Sequence, residues 1–174
     1  MAHMPELILV SQAPLESTAN CSLPSSSLLK AVQSVNADIL KVSLETSRMA
    51  LDVFEIIDFR MISGLIGELF AVEVAKAVPW LEKNPNIDGY PDLLNLSTPD
   101  ARKEFENGLN GRIDLFIDFK YGGYEVKNTF GTKKAGSDLQ YGSSRIGKIN
   151  KKLDWKAHHQ KTNNLIGLHS DFDN

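Results

Sequence analysis

The 174 residues are 42% apolar and 24% charged, enough for one domain with a real core and typical of an ordinary globular protein. A single cysteine, Cys21, excludes an intrachain disulfide framework, and no apolar run reaches the length of a membrane span, so a reducing cytoplasm is the expected location. The net charge of −3 conceals a division: residues 1–119 carry nine Lys/Arg against 17 Asp/Glu, whereas residues 120–161 carry ten against three. A local basic segment of this kind suits phosphates, although a solvated basic face has the same composition.

The opening MAHM reads as a cloning scar and "ELILV" is too short for a signal peptide. With the Ser- and Pro-rich run "STANCSLPSSS", residues 1–26 are expected to form a scar and a loose arm outside the core, ending at a Ser N-cap. Residues 27–174 then form one domain. Helical spacing follows in "SLLKAVQSV" and in "NADILKVSLETSRMALDVFEIID", and a stronger helix in "RMISGLIGELFAVEVAKAV" stops at Pro79. This last helix has a large apolar stripe (Ile62, Leu65, Ile66, Leu69, Phe70) and a small one (Gly64, Gly67, Ala71, Ala75), so it should pack on two sides. Glu73 falls inside the large stripe and Glu68 on the border, and either carboxylate could face a site or pair locally.

"PWLEKNPNIDGYP" is rich in turn formers, "DLLNL" is a short strand, and "STPDARKEFENGLNG" is a short helix or loop begun by a Ser/Thr cap. "RIDLFIDFK" and "YEVKNTF" read as the two arms of a β-hairpin, with "YGG" supplying the turn. Residues 131–150 are a Gly/Ser/Lys loop, "INKKLDWKAHHQK" is helical and "NNLIGLHSDF" is a strand. The chain stops soon after, with no closing element, which leads to the expectation that it is a truncated piece of something longer. The fold class is α/β, with N-terminal helices packed on a central mixed sheet and a crossover helix.

Within "YEVKNTF", alternation puts Glu125 and Lys127 on one face of the strand. Burying either charge alone costs several kcal/mol, so the pair needs a solvent face, or a metal and an anionic substrate. Asp92, delivered by "DGYP" to the mouth of a strand, supplies a second carboxylate. Two carboxylates and an ammonium in one cleft suit Mg2+, which takes one or two protein carboxylates and binds phosphate oxygens with other positions.

Pro91-Asp92 followed by Glu125-Val126-Lys127 resembles the motif of the PD-(D/E)XK nuclease superfamily, in a setting that looks like a type II restriction endonuclease. The likeness runs over roughly residues 60 to 170 by order of elements. It implies a restriction endonuclease-like core, with Asp92, Glu125 and the Val126 carbonyl as metal ligands, Lys127 serving the attacking water, and Glu68 as an accessory acid. Asp114, eleven residues before Glu125 on the expected hairpin arm, is the alternative ligand to Asp92, whose 33-residue spacing requires an insertion. The basic segment is where duplex DNA is expected: Lys133, Lys134, Lys148, Lys151 and Lys152 on phosphates, with Asn128, Gln140 or Arg145 reading base edges. His158 and His159, adjacent on a helix, point about 100° apart and suit packing or surface better than one shared ion, and Trp155 reads as an anchor.

The expectation is therefore a Mg2+-dependent endonuclease cutting double-stranded DNA at a defined sequence, a homodimer using no other cofactor and no membrane. The competing classes are a repair or junction nuclease of the same superfamily, a non-catalytic nucleic-acid-binding module on its scaffold, and a protein-interaction domain whose Glu125–Lys127 pair is an ordinary ion pair.

Overall fold

The computed structural model describes residues 13–16, 21–51, 53–130 and 164–170. Two very short strands, β1 (Leu15–Glu16) and β2 (Ser22–Leu23), pair antiparallel ahead of the first helix. Leu23 is completely buried in the main core. The expectation that everything up to residue 26 lies outside the core fails at this residue, because a leucine held by a strand pair can reach under the helices.

The two apolar-periodic stretches after it form one 24-residue helix, α1 (Ser25–Arg48). Its N-cap is Pro24, not a serine, and no side chain caps it. The Pro24 carbonyl accepts from the Ser27 and Leu28 N–H groups instead, and the fixed φ of proline suits a helix entry. A single turn, α2 (Val53–Ile56), leads to α3 (Phe59–Ala77). Asp58 caps α3 by accepting from the Arg60 N–H, and the helix ends at Val78, one residue before Pro79, as the sequence predicts.

Helix α3 packs against α1 on one side and against the sheet on the other. Ile62, Ile66, Phe70, Ala71 and Val74 are buried, while Leu65, assigned to the same stripe from the sequence, is exposed.

Four strands, β3 (Leu81–Lys83), β4 (Leu93–Asn95), β5 (Gly123–Phe130) and β6 (Leu165–Ser170), form a mixed sheet in the order β3-β4-β5-β6. Strands β3 and β5 each pair antiparallel with β4, and β6 runs parallel to β5. Together with the helices this is a mixed α/β fold. Strand β3 lies inside the stretch read as turns.

Successive leucines of β4 face opposite ways, as a pleat requires. Leu93 joins the core beneath α3, and Leu94 joins a second cluster with Leu96, Ala101, Phe116 and Phe119. Helix α4 (Pro99–Leu109), capped by the Thr98 hydroxyl accepting from Ala101 N–H, carries part of that second cluster.

The expected hairpin through "RIDLFIDFK" does not form. Residues Ile113–Phe116 make a 3-10 turn. The burial pattern shows why no strand forms: Phe116 and Phe119 are both buried while Ile117 and Asp118 between them are exposed, which strand alternation cannot produce. The antiparallel partner of β5 is β4, in the register Leu93↔Tyr124. The glycines keep their turn role: Gly122 has a φ of +69°, and a Cβ on Gly123 would overlap the Leu93 carbonyl oxygen, so only glycine lets β4 approach β5 there.

Candidate active site

Extending the β4–β5 register by one residue sets Asp92 opposite Glu125. The strand pairing ends at that point, and the Asp92 side chain takes over: its Oδ2 accepts from the Val126 N–H at 2.7 Å. The neighbouring Glu125 N–H donates to the Asn164 carbonyl on the β6 side. Peptide groups alternate along a strand, so both the N–H and the carbonyl of Val126 face the Asp92 side.

Glu125 is only 4% exposed. One carboxylate oxygen, Oε1, is ion-paired to Lys127 Nζ; the other, Oε2, is buried without a hydrogen-bond partner. A buried, unpartnered carboxylate oxygen is expensive, and here it stands close to a second acid. Burial, and then the charge of Glu125, push the Asp92 carboxyl up to about 6, against the opposing pull of the Val126 N–H and Lys127. Two acceptor groups face one another with too few donors between them. A proton or a cation would resolve that.

A cavity of about 250 Å3 opens beside this pair, lined by Asp92, Val126 and Lys127 from the sheet side and by Gly64, Gly67 and Glu68 from α3. With Asn128, the lining brings together five of the residues expected from the sequence, and Glu125, outside the lining, is ion-paired to one of them, Lys127. Glu68 is bound at 2.7 Å to Lys83 on β3, an ion pair that the sequence did not suggest. Glu73 faces away from the cavity and pairs with Lys76 at 2.6 Å, consistent with local pairing.

Asp114 lies elsewhere. It is exposed in the 3-10 turn, in a bidentate ion pair with Arg112, which holds its carboxyl below the usual range. Because β5 pairs with β4, the long Asp92-to-Glu125 spacing is occupied by α4 and the 3-10 turn, and the two acids meet across the strands.

Asn128 has both ends of its amide engaged. Its Nδ2 donates to the Ser63 carbonyl, its Oδ1 accepts from the Ser170 hydroxyl, and its own carbonyl accepts from the Ser63 hydroxyl. It ties α3, β5 and β6 together, which conflicts with reading a base edge unless those bonds break. Lys133, Lys134, Gln140, Arg145, Lys148, Lys151, Lys152, Trp155, His158 and His159 lie outside the described residues, as does the expected crossover helix.

Set against protein-family models, curated proteins and solved structures, the chain has no match in any of the three. The site therefore stands on its own geometry. Among the described residues no group of three or more His, Cys, Asp or Glu side chains gathers as a metal cluster, so the acids available are the pair Asp92 and Glu125. Among the same residues no helix is long and apolar enough to cross a membrane.

Sequence reasoning missed two contributors. Lys83 sits on an unexpected strand, and Asn84 lies in an "NPN" run that reads only as turn chemistry. Asn84 is buried and its bonds converge on the Asp92 segment.

Proposed function

We propose that this chain is a Mg2+-dependent DNA endonuclease of the PD-(D/E)XK type, acting as a homodimer in the cytoplasm on a defined duplex sequence. The observation that carries the reading is the buried Glu125 Oε2, unpartnered beside a second carboxylate, at the edge of a cavity that also contains a lysine.

The donor set fits a hard divalent cation. Asp92, Glu125 and the Val126 carbonyl would hold it, all oxygen ligands. Once bound, such an ion polarises a phosphoryl oxygen and makes a water more acidic. The residues themselves do the rest. The Val126 N–H fixes the Asp92 carboxylate in place, and at neutral pH that carboxylate is mostly ionised, since its proton leaves near pH 6. Lys127 neutralises one oxygen of Glu125 and presents its ammonium to the cavity. There it is placed to orient a water and to stabilise charge developing on a phosphate. Gly64 and Gly67 leave two gaps in the α3 wall, between Ser63, Glu68 and Ala71, so a phosphate group has room to enter. The basic segment after β5 supplies the phosphate contacts that hold DNA in register.

The test is incubation of the full-length chain with plasmid DNA, with and without Mg2+. Discrete Mg2+-dependent fragments support a site-specific enzyme, and a smear supports a non-specific nuclease. Retention of DNA without cutting in any divalent ion would replace the reading with a non-catalytic binding module.

A further inference from the structure

Strand β4 is three residues long, and Asp92 lies just before it, where the β3–β4 register extended by one residue sets it opposite Asn84. The Val126 N–H holds its carboxylate, and the hold on its backbone comes from Asn84. Asn84, 3% exposed, meets this segment through its backbone N–H and its side-chain Nδ2. Its backbone N–H donates to the Asp92 carbonyl at 2.8 Å. Its Nδ2 donates to the Pro91 carbonyl at 3.0 Å and to the Phe116 carbonyl at 2.9 Å, and its Oδ1 accepts from the Asn86 N–H at 2.9 Å.

The two amide donors therefore bridge the peptide just before Asp92 to the 3-10 turn that leads into β5. That turn is held a second time, since the Tyr90 N–H also donates to the Phe116 carbonyl and the Phe119 N–H to the Tyr90 carbonyl. Gly89 completes the seat: a Cβ there would collide with the Asn84 amide and the Phe116 carbonyl. The amide is enclosed, and its donors tie the carbonyl just before the acid to the 3-10 turn.

We propose that Asn84 is the positioning residue of the site: it sets the distance between the Asp92 carboxylate and Glu125, and so the affinity for a divalent cation. The proposal rests on the reading of these two acids as a cation site. A side chain that holds a ligand in place without touching the ion typically governs affinity by roughly 10- to 100-fold. Asn84 differs from a generic buried amide in that its bonds end on the carbonyl of one ligand and on the carbonyl just before it. Asn95, the other buried asparagine of the sheet, serves as the internal contrast, because its Oδ1 accepts only from the Ser97 N–H, away from Asp92.

The experiment is calorimetric titration of Mn2+ into the full chain for wild type, Asn84→Ala, Asn84→Ser and Asn95→Ala. Each is first checked for folding by circular dichroism at the titration temperature. Asn84→Ser is uncharged, keeps a hydroxyl that can donate to one carbonyl and loses the bridge between two, so it provides a folded variant if Asn84→Ala does not fold. The expected result is wild-type affinity in Asn95→Ala and an affinity roughly 10- to 100-fold weaker in the Asn84 variants. Equal affinity in folded Asn84 variants and wild type overturns the positioning role while leaving the cation site standing. Equal loss in Asn95→Ala also overturns it, by making the effect one of general stability. No Mn2+ binding by wild type removes the cation reading itself, and the inference falls with it.

Discussion

Replacing Asp92 by asparagine should make the protein more stable when no divalent ion is present. The acid releases its proton near pH 6 in the folded state, against an ordinary value of 3.8, because it is buried beside Glu125. At about 1.4 kcal/mol per tenfold change in proton affinity, that difference corresponds to about 3 kcal/mol of unfavourable charge at neutral pH. Asp92 retains some contact with solvent, so about 1–2 kcal/mol is the expected gain. Asparagine keeps an acceptor for the Val126 N–H and brings an NH2 that can donate to the unpartnered Glu125 Oε2. The assay is urea denaturation in EDTA at pH 7.5 and at pH 5. Between 3.8 and about 6 the folded state binds more protons than the unfolded one. Wild type therefore gains stability as pH falls through about 6, and the advantage of the variant should shrink by pH 5. In Mg2+ at ten times its Kd, wild type should gain about 1.4 kcal/mol and the variant much less. Destabilisation by Asp92→Asn at pH 7.5 in EDTA would refute the argument, because it would mean that Lys127 and the Val126 N–H already satisfy the carboxylate.

Lys127→Ala leaves Glu125 buried without its cation and should cost about 3 kcal/mol in denaturation experiments; with Glu125→Ala, it should abolish plasmid cleavage while duplex binding in Ca2+ persists. Asp114→Asn should leave cleavage unchanged and barely move the denaturation midpoint, since it removes only an exposed ion pair; a cleavage-dead Asp114→Asn would reassign the ligand. Gly123→Ala should lower stability by about 3 kcal/mol by thermal melting, because the new methyl group must push β4 away from β5. Duplex binding should weaken with salt at a log–log slope of roughly −0.9 per contacted phosphate, and single Lys→Ala changes at Lys133, Lys134, Lys148, Lys151 or Lys152 should each flatten it by about one; a slope that none of them alters would remove this segment from the interface.

What could be read from the sequence was local. Helices α3 and α4 follow from apolar spacing and from their stops and caps at Pro79 and Thr98, which act within a few residues. The acids were also visible as residue types, and their meeting was expected from the Pro-Asp and Glu-x-Lys motif. The route was not, because it depends on pairing β4 with β5 across the intervening α4 and 3-10 turn, where "RIDLFIDFK" was the expected partner. The 3-10 turn itself was hidden by "RIDLFID", whose apolar letters satisfy alternation as well as a three-residue period. Only the burial of Phe116 and Phe119 separates the two. Asn84 was out of reach for a related reason: its bonds run to Pro91 and to Phe116, 32 residues away, and nothing in "NPN" distinguishes a hub from a bend.

Gly64 and Gly67 occupy the middle of a long helix, where each forfeits about 1 kcal/mol relative to alanine. Around each of them a Cβ would meet nothing within 4 Å. No neighbour forces these positions to be small, so alanine would fit at either and would narrow the space shared with Asp92 and Lys127. The helix with its gaps filled is, on these terms, the sturdier one, and the two weak points it carries both open onto the acids.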